Sequence, residues 1–419
     1  MGTATQPAGS GRDPDLLEGP GGSPPDGALP AHPRLRTRPA PERGRVANAL
    51  AGLRWPIAVY LGTRMLLLVV ALVDAVLGHH SFTHELANWD GLWYRQLANH
   101  GYPTSASHAQ TTLGFFPLFP IVLWLVGHAL SWSTTVAGIV VSGLGGLVAT
   151  VLVQRLASGW WGEQSGRRAA TLFCLFPGSV VFSMVYAEGI FIPLAAGCLL
   201  ALERRRWLLA GVLAAFATAT EPEGLILVVV CGTSALLELR RRGWSLREAG
   251  RSFVAPLLSM VGVSAFAAFL WAWTGTPLAN LQAQHYGWHE KTDPFALVRL
   301  ARSLADEISL THFNMPTINL NLVVGLLGAF VLVIGIVLLL RRRGRISVPA
   351  MVWTLGIGLL AITSEFTPPN PRLLITAFPA VLVFAHYASR RAYFWLLGAS
   401  VGLLTVLSAL TFVGTTLRP

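Results

Sequence analysis

Charged side chains are scarce in this chain of 419 residues. Only 12% of the residues are Asp, Glu, Lys or Arg, and 53% are hydrophobic, whereas a soluble domain carries about 25% charged residues. This deficit excludes an ordinary soluble globular protein, because a chain this apolar must turn much of its surface toward lipid. The sequence therefore predicts an all-α polytopic membrane protein.

Lysine is almost absent, since Lys291 is the only one, and the formal net charge of +11 comes from arginine. The arginines lie in clusters at the ends of apolar runs, as the positive-inside rule describes for cytoplasmic loops. A nucleic-acid-binding protein would spread them over one folded surface, so nucleic acid is not expected as a partner. Arginine in place of lysine is also typical of a GC-rich bacterial genome. The clusters lie at 34–54, 204–206, 240–242, 341–343 and 390–391.

Cysteine is rare, and Cys174, Cys198 and Cys231 lie singly within apolar runs. Because no C-x-x-C spacing is present, neither a disulfide framework nor a zinc site is predicted, and we expect three packed, free thiols. His80 and His84 are four residues apart but have no clear third ligand. We therefore expect no metal site, and no cofactor.

Residues 1–50 contain no apolar run and are rich in Gly, Pro, Ser and Arg. Such a segment cannot bury enough surface to fold, so we expect a disordered cytoplasmic tail without a signal peptide. Residues 51–419 are expected to form one multi-pass domain. Its first span is predicted over residues 55–77, and ten further apolar runs follow. If the short, proline-containing segment 115–130 is re-entrant, the chain makes about eleven crossings.

A polar, aromatic-rich loop follows the first span. The motif W-D-x-x-W-Y runs from Trp89 to Tyr94, with G-Y ending at Tyr102 and F-F-P-L-F-P at 115–120. Apolar residues recur every three or four positions over residues 85–100, which predicts an amphipathic interfacial helix. Asp90 and Tyr94 share an adjoining stripe of that helix and would face a cavity. Asp90 is either a general base or a solvated loop acid.

Two further charged residues lie near predicted external ends of spans. Glu188, close to Tyr186, lies between two short apolar runs, where a carboxylate is costly unless it has a function or a partner. A buried arginine such as Arg64 would be one partner. Arg372 follows the proline-rich turn that begins at Thr363. It would either hold a phosphate through two parallel hydrogen bonds or lie at the interface as an ordinary snorkelling arginine.

Together these motifs resemble the PIG-V mannosyltransferases of the GT-C class, over residues 55–390 and most strongly at 88–120. The resemblance implies a GT-C-like helix bundle in the cell membrane, and the arginine cluster before the first span predicts that the N-terminus lies in the cytoplasm. It implies transfer of mannose from a polyprenyl-phosphate donor to a lipid or glycan acceptor at the external face, with inversion. Asp90 would be the catalytic base and Glu188 a second catalytic residue. The implied substrate-binding residues are Trp89, Trp93, Tyr94, Tyr102, Tyr186 and Arg372.

One position departs from the family pattern. The element T-R-P-x-G is T-E-P-E-G here, with Glu221 in place of the usual arginine. If that arginine meets a phosphate, the positive charge must come from elsewhere, and Arg372 is the best substitute. Otherwise the acceptor differs or the site has lost activity.

Other functions stay open at this point. The alternatives are transfer of another lipid-linked sugar, mannosylation of proteins, and transport or flipping of a lipid-linked sugar. Transporters place ionisable groups in mid-span helices. Here Asp90, Glu188, Glu221 and Glu365 gather at predicted external ends of spans, which favours an enzyme with a site at the membrane face.

Overall fold

The computed structural model describes residues 42–79, 81–310, 319–341, 344–365, 368–413 and Leu417. Within these ranges the chain is helical, and the only β-type pairing is an isolated bridge between Thr292 and Ser364. Residues Ala49–Pro419 form one compact unit. The prediction of an all-α fold is confirmed. Residues 1–41 of the predicted tail lie outside the described residues, and residues 42–50 belong to the first helix.

Nineteen helices are found in the described part of the chain. They are α1 Glu42–Gly78, α2 Phe82–Glu85, α3 Asp90–His100, α4 Leu118–Leu130, α5 Thr134–Trp161, α6 Glu163–Leu175, α7 Glu188–Glu203, α8 Trp207–Thr218, α9 Leu225–Arg241, α10 Leu246–Ala249, α11 Val254–Ser259, α12 Val261–Thr274, α13 Ala279–Gln282, α14 Ala296–Leu310, α15 Leu320–Leu340, α16 Val348–Thr363, α17 Pro371–Thr376, α18 Phe378–Tyr387 and α19 Arg390–Phe412. Short 3₁₀ turns cover Thr112–Gly114, Pro177–Ser183, Pro222–Gly224 and Gly250–Phe253, and a π-turn covers Ala283–Gly287.

Several of these helices are long and apolar enough to cross a membrane. Among the described residues six segments meet that condition, or seven if the bent pair Pro177–Ser183 and α7 forms one span. Four shorter apolar helices, α4, α8, α16 and α18, accompany them. The chain is therefore a multi-pass membrane protein, and the count of about eleven crossings stays a prediction. The six segments are Gly52–Gly78, Thr134–Trp161, Pro222–Arg241, Leu246–Thr274, Leu320–Leu340 and Arg390–Phe412.

A sharp break inside the bundle determines where the first residue of α7 lies. Helix α6 ends at Leu175, and Pro177 follows after one extended residue, since a residue that precedes proline disfavours helical geometry. The turn Pro177–Ser183 then meets α7 at an angle of 113°. Because all residues of this turn are buried, Glu188 begins its helix inside the protein.

Arg64 of α1 holds this break in place. Its Nη1 donates to the carbonyl oxygen of Ser179 (2.6 Å) and to Oγ of Ser183 (2.9 Å), and its Nη2 donates to Oγ of Ser179 (3.0 Å). The Ser179 hydroxyl donates in turn to the carbonyl oxygen of Cys174 at the end of α6 (2.6 Å). The carboxyl end of a helix favours a cation. Glu188 does pair with an arginine, but the partner is Arg372 and not Arg64.

Small residues allow α5 and α7 to pack closely. A Cβ atom on Gly145 would overlap the backbone of Gly189, and one on Gly189 would overlap Ser142, as is common where membrane helices approach closely. Ser142 Oγ also donates to the carbonyl oxygen of Tyr186 (2.9 Å) and accepts from its N–H (3.3 Å). The segment between α6 and α7 is thus held by Arg64 of α1 and by Ser142 of α5. The three cysteines are free and buried, as predicted.

Candidate active site

The first-loop motif forms two short helices instead of the single helix predicted over residues 85–100. Helix α2 ends at Glu85, and α3 begins at Asp90. Trp89, between them, has a φ of 59°, a left-handed geometry that interrupts a right-handed helix. Its Nε1 donates to the carbonyl oxygen of Thr411 in α19 (3.1 Å). A contact far along the chain therefore overrides the local helical pattern and makes Asp90 the first residue of α3.

Arg372 lies at the centre of a cluster of charged residues. Its Nη1 is 2.5 Å from Oδ2 of Asp90, and its Nε donates to Oε1 of Glu188. Its Nη2 lies 3.9 Å from Oε1 of Glu221. The guanidinium carbon is 4.9 Å from the centre of the Tyr186 ring, close enough for a cation–π contact. Four segments that are distant in sequence thus contribute one cation and three carboxyl groups.

The backbone places these groups at the ends of helices. Asp90 and Glu188 are the first residues of α3 and α7, where the helix dipole favours a negative charge. The backbone N–H of Asp90 donates to the hydroxyl of Tyr186 (3.3 Å), which links the two acidic segments. Arg372 lies in α17, whose N-terminus is capped by Asn370 through the N–H of Leu373 (3.0 Å).

Burial divides the cluster into an accessible side and an enclosed side. The side chains of Arg372 and Asp90 are 23% and 26% exposed, whereas that of Glu188 is only 2% exposed. Glu221 is also buried. A substrate can therefore reach the Asp90–Arg372 pair, while the two glutamates lie behind it.

Burial and neighbouring charges shift the pKa values of Glu221 and Arg372. Burial, reinforced by the neighbouring Glu188 carboxylate, raises the pKa of Glu221 well above its usual range. Burial opposes the charged form of Arg372, but Glu188 and Asp90 together outweigh it and raise the pKa of the guanidinium well above its usual range.

An aromatic wall adjoins Asp90. Tyr94 is buried and makes edge contacts with Phe115 and Phe119, each at a ring distance of 4.9 Å. Trp93 lies 5.0 Å from Trp288, which comes from the segment after α13. Trp288 is a site residue that the sequence analysis missed, because no spacing rule connects it to the first-loop motif.

Tyr102 supports this wall from behind. Its hydroxyl donates to the carbonyl oxygen of Phe115 (2.7 Å), and its ring packs 5.7 Å from that of Phe266. Of the predicted site residues, Asp90, Glu188, Tyr186 and Arg372 are thus brought into one cluster. Trp93, Tyr94 and Tyr102 form the wall, and Trp89 anchors α3. Their roles stay predictions.

Residues 290–291, which precede α14, are bound to residues 364–365, which follow α16. The carboxylate Oε1 of Glu290 accepts a hydrogen bond from Ser364 (2.6 Å), the N–H of Glu365 donates to the carbonyl oxygen of Lys291 (3.0 Å), and Arg299 forms an ion pair with Glu365 (3.6 Å). Among the described residues, which exclude His80, no group of three or more His, Cys, Asp or Glu is arranged to hold a metal ion.

Comparison with solved structures finds similar helical membrane proteins at low identity. ArnT from Cupriavidus metallidurans bound to undecaprenyl phosphate is 15% identical, with a TM-score of 0.46 over 80% of this chain and 62% of that one. The apo oligosaccharyltransferase of Archaeoglobus fulgidus is 13% identical, with a TM-score of 0.49 over 87% and 56%. The chain thus spans between half and two thirds of the length of these proteins.

Comparison with curated proteins finds no match. A family model does match: that of the mannosyltransferase (PIG-V) family covers residues 63–273, which is half of the chain. The matched range includes the first-loop motif with Asp90, the break before Glu188, and Glu221, although it stops before Arg372. This chain belongs to the mannosyltransferase (PIG-V) family.

Proposed function

We propose that this protein transfers mannose from a polyprenyl-phosphate carrier to the hydroxyl of a lipid or glycan acceptor, with inversion at the anomeric carbon. The observation that carries the proposal is the accessible pair of Asp90 and Arg372, whose Oδ2 and Nη1 atoms are 2.5 Å apart. A proton acceptor and a phosphate-binding cation are the two groups that such a transfer needs.

The donor phosphate replaces Asp90 on Arg372. The guanidinium offers a planar set of donors that matches two phosphate oxygens. Its Nε stays on Glu188, a buried carboxylate that orients the fork, while Nη1 turns from Asp90 to the phosphate. Binding of the donor therefore releases Asp90 at the moment when a base is required, because a carboxylate accepts a proton more readily once its cation has moved.

The transfer itself is a single displacement. The acceptor hydroxyl attacks the anomeric carbon on the face opposite the phosphate, and Asp90 takes the hydroxyl proton. The bond between the anomeric carbon and the phosphate oxygen breaks, and its electron pair stays on the leaving phosphate, which Arg372 stabilises. One attack from the opposite face inverts the configuration. The products of the step are the mannosylated acceptor, the free polyprenyl phosphate and the protonated Asp90.

Glu221 is compatible with this chemistry despite its departure from the family pattern. A neutral carboxyl group 3.9 Å from Arg372 does not repel a phosphate, and it can donate a hydrogen bond where the family arginine would donate one. The raised pKa of Glu221 supports that neutral form. The charge that the arginine would have supplied then comes from Arg372.

The site is proposed to face the exterior of the cell membrane, with the N-terminus in the cytoplasm. The arginine clusters support this orientation, because arginines accumulate in cytoplasmic loops. The cluster 204–206 follows α7 directly, at the end of that helix opposite to Glu188. Donor and acceptor would then meet at the external face, where both partners are lipids or glycans.

The decisive experiment measures transfer with isolated membranes and radiolabelled polyprenyl-phosphate mannose. We expect the wild type to move label into a lipid or glycan fraction, and Asp90→Asn to lose about 10²- to 10⁴-fold in rate. Asp306→Asn, an exposed acid on α14 outside the cluster, is the matched control and should behave as the wild type. Equal transfer by Asp90→Asn would remove Asp90 from the mechanism. Transfer of a different labelled sugar in place of mannose would correct the donor.

A further inference from the structure

An apolar groove lies on the surface of the bundle, between α5, α7 and α8. Its volume is about 400 Å³, within the range of small-molecule sites. Val148 and Leu209 on its edges are exposed, so the groove opens toward the surrounding lipid. Gly197 leaves room along its floor, where an added Cβ atom would meet Leu213 at 3.1 Å. The shape and chemistry fit a hydrocarbon chain that lies along α7.

The groove has two chemically different ends. One begins at Gly189, directly after Glu188 and the acidic cluster. The other ends at Arg204 and Arg206, about 22 Å away if α7 rises 1.5 Å per residue. Two arginines attract an anionic headgroup at the second end, whereas at the first end the cation of the cluster, Arg372, is already bound to Asp90 and Glu188. The charges therefore give a bound lipid one orientation, with its phosphate at the arginines.

The two arginines are available for a ligand. Arg205 has a φ of 55° and lies 3.5 Å from the Glu238 carboxylate on α9. In the described part of the chain, the side chains of Arg204 and Arg206 make no hydrogen bond and no ion pair. The adjacent Glu203 carboxylate is engaged by the indole N–H of Trp160 (2.7 Å). The turn thus directs one arginine to a structural partner and leaves its two neighbours at the mouth of the groove.

We infer that this groove binds an anionic phospholipid, with one acyl chain between α5, α7 and α8 and its phosphate on Arg204 and Arg206. Basic pockets between helices on the cytoplasmic side are suited to such headgroups. The lipid would come from the leaflet that the arginines face, opposite to the leaflet of the proposed transfer site. Its binding does not depend on sugar transfer.

The position of the phosphate also distinguishes this lipid from the polyprenyl donor. A donor with its phosphate on Arg372 would enter the groove, if at all, from the Gly189 end, and its tail would not need Arg204 or Arg206. An anionic phospholipid needs both arginines. Removal of the two arginines is therefore expected to weaken binding of the phospholipid but not binding of the donor.

The test is native mass spectrometry of the purified full chain with phosphatidylglycerol and with phosphatidylcholine. We expect the wild type to retain phosphatidylglycerol preferentially. The double substitution Arg204→Gln and Arg206→Gln should weaken its retention about thirtyfold. Gly197→Leu, which fills the groove floor against Leu213, should also abolish it. The control, Arg240→Gln with Arg241→Gln at the exposed end of α9, should leave retention unchanged.

Each result decides the inference. Loss in both groove variants with retention in the control supports it. Equal loss in the control would show only a general attraction of the lipid to basic loops and would overturn the inference. Unchanged binding in the arginine variant would overturn it as well. Displacement of phosphatidylglycerol by undecaprenyl phosphate would assign the groove to the donor tail and overturn it too. If Gly197→Leu does not fold, Val148→Trp blocks the groove from its exposed edge, and retained binding there would contradict the inference.

Discussion

The Nη1 atom of Arg372 lies 2.5 Å from Oδ2 of Asp90, although the two residues are 282 positions apart in sequence. The same guanidinium donates to Glu188 through Nε. This chain has Glu221 where the T-R-P-x-G element has an arginine. Arg372 nevertheless places a cation beside Asp90. Arg372 also joins Asp90 and Glu188 into one cluster, and in the proposed function it binds the donor phosphate.

Arg372→Gln should reduce transfer by about 10²- to 10³-fold, because the leaving phosphate loses its charged partner. Arg372→Lys should recover only part of the rate, because an ammonium group lacks the planar set of N–H donors that binds Glu188 and a phosphate at the same time. The measurement is kcat and KM for the polyprenyl-phosphate donor. Arg390→Gln, at the start of α19, is the control. A wild-type rate in Arg372→Gln would contradict a role in phosphate stabilisation.

Glu221 should make the folded protein less stable as pH rises. Its pKa is raised on folding, so the native state binds more protons than the unfolded state at pH values above the usual glutamate pKa of about 4.5. Stability then falls as pH increases from that value through the raised pKa. Glu221→Gln, which copies the neutral form, should remove this slope and keep transfer near the wild-type rate.

The corresponding measurement is the thermal unfolding midpoint in detergent across a pH series, with wild type and Glu221→Gln compared at each pH. Glu163→Gln, an exposed acid in an i,i+4 ion pair with Arg167, serves as the control and should retain the wild-type slope. An identical pH slope in wild type and Glu221→Gln would show that Glu221 is not the titrating group.

Arg64→Met should destabilise the protein and impair transfer together. Three hydrogen bonds to Ser179 and Ser183 disappear, and bonds from a charged donor contribute about 1.5–3 kcal/mol each. The turn that precedes Glu188 then loses its fixed position. Arg64→Lys should keep part of both properties. Arg54→Gln, an exposed arginine on the same helix, should match the wild type. A stable but inactive Arg64→Lys would assign Arg64 to positioning rather than to overall stability.

Trp288→Ala should weaken binding of the sugar substrates without removing the chemical groups. The indole covers Trp93 at a ring distance of 5.0 Å and donates to the carbonyl oxygen of Thr111 (3.4 Å). We expect KM to rise several-fold while kcat changes little, because aromatic contacts of this kind contribute about 0.5–1.5 kcal/mol. The comparison is with Trp271→Ala, a lipid-exposed indole on α12. A fall in kcat alone would place Trp288 in the chemistry instead.

Much of this architecture could be predicted from local properties of the chain. The low charge and long apolar runs indicated an all-α membrane protein, and the isolated thiols were expected to be free and buried. The first-loop motif identified Asp90, and its aromatic neighbours Trp93 and Tyr94 do line one wall. These features follow from composition and short-range spacing, which the sequence contains in full.

The number of membrane crossings is not determined by local hydropathy. The segment α4 is 13 residues long, or about 20 Å, which is short for a span. Its N-terminus is fixed by the bond from the N–H of Leu118 to the carbonyl oxygen of Ala219 (2.9 Å). Hydropathy alone does not distinguish such a helix from a full crossing, so the proposal of a re-entrant segment stays a prediction.

The sequence by itself determined that this protein lies in a membrane, that it is helical, and that an acid of the first loop and an arginine after α16 are candidates for chemistry. Only the tertiary structure decided their partners. Glu188 pairs with Arg372 and not with Arg64, α3 starts at Asp90 because Trp89 bonds α19, and Trp288 closes the aromatic wall. The reason is physical: charge pairing depends on distances of a few ångströms between side chains, and packing of segments hundreds of residues apart sets those distances.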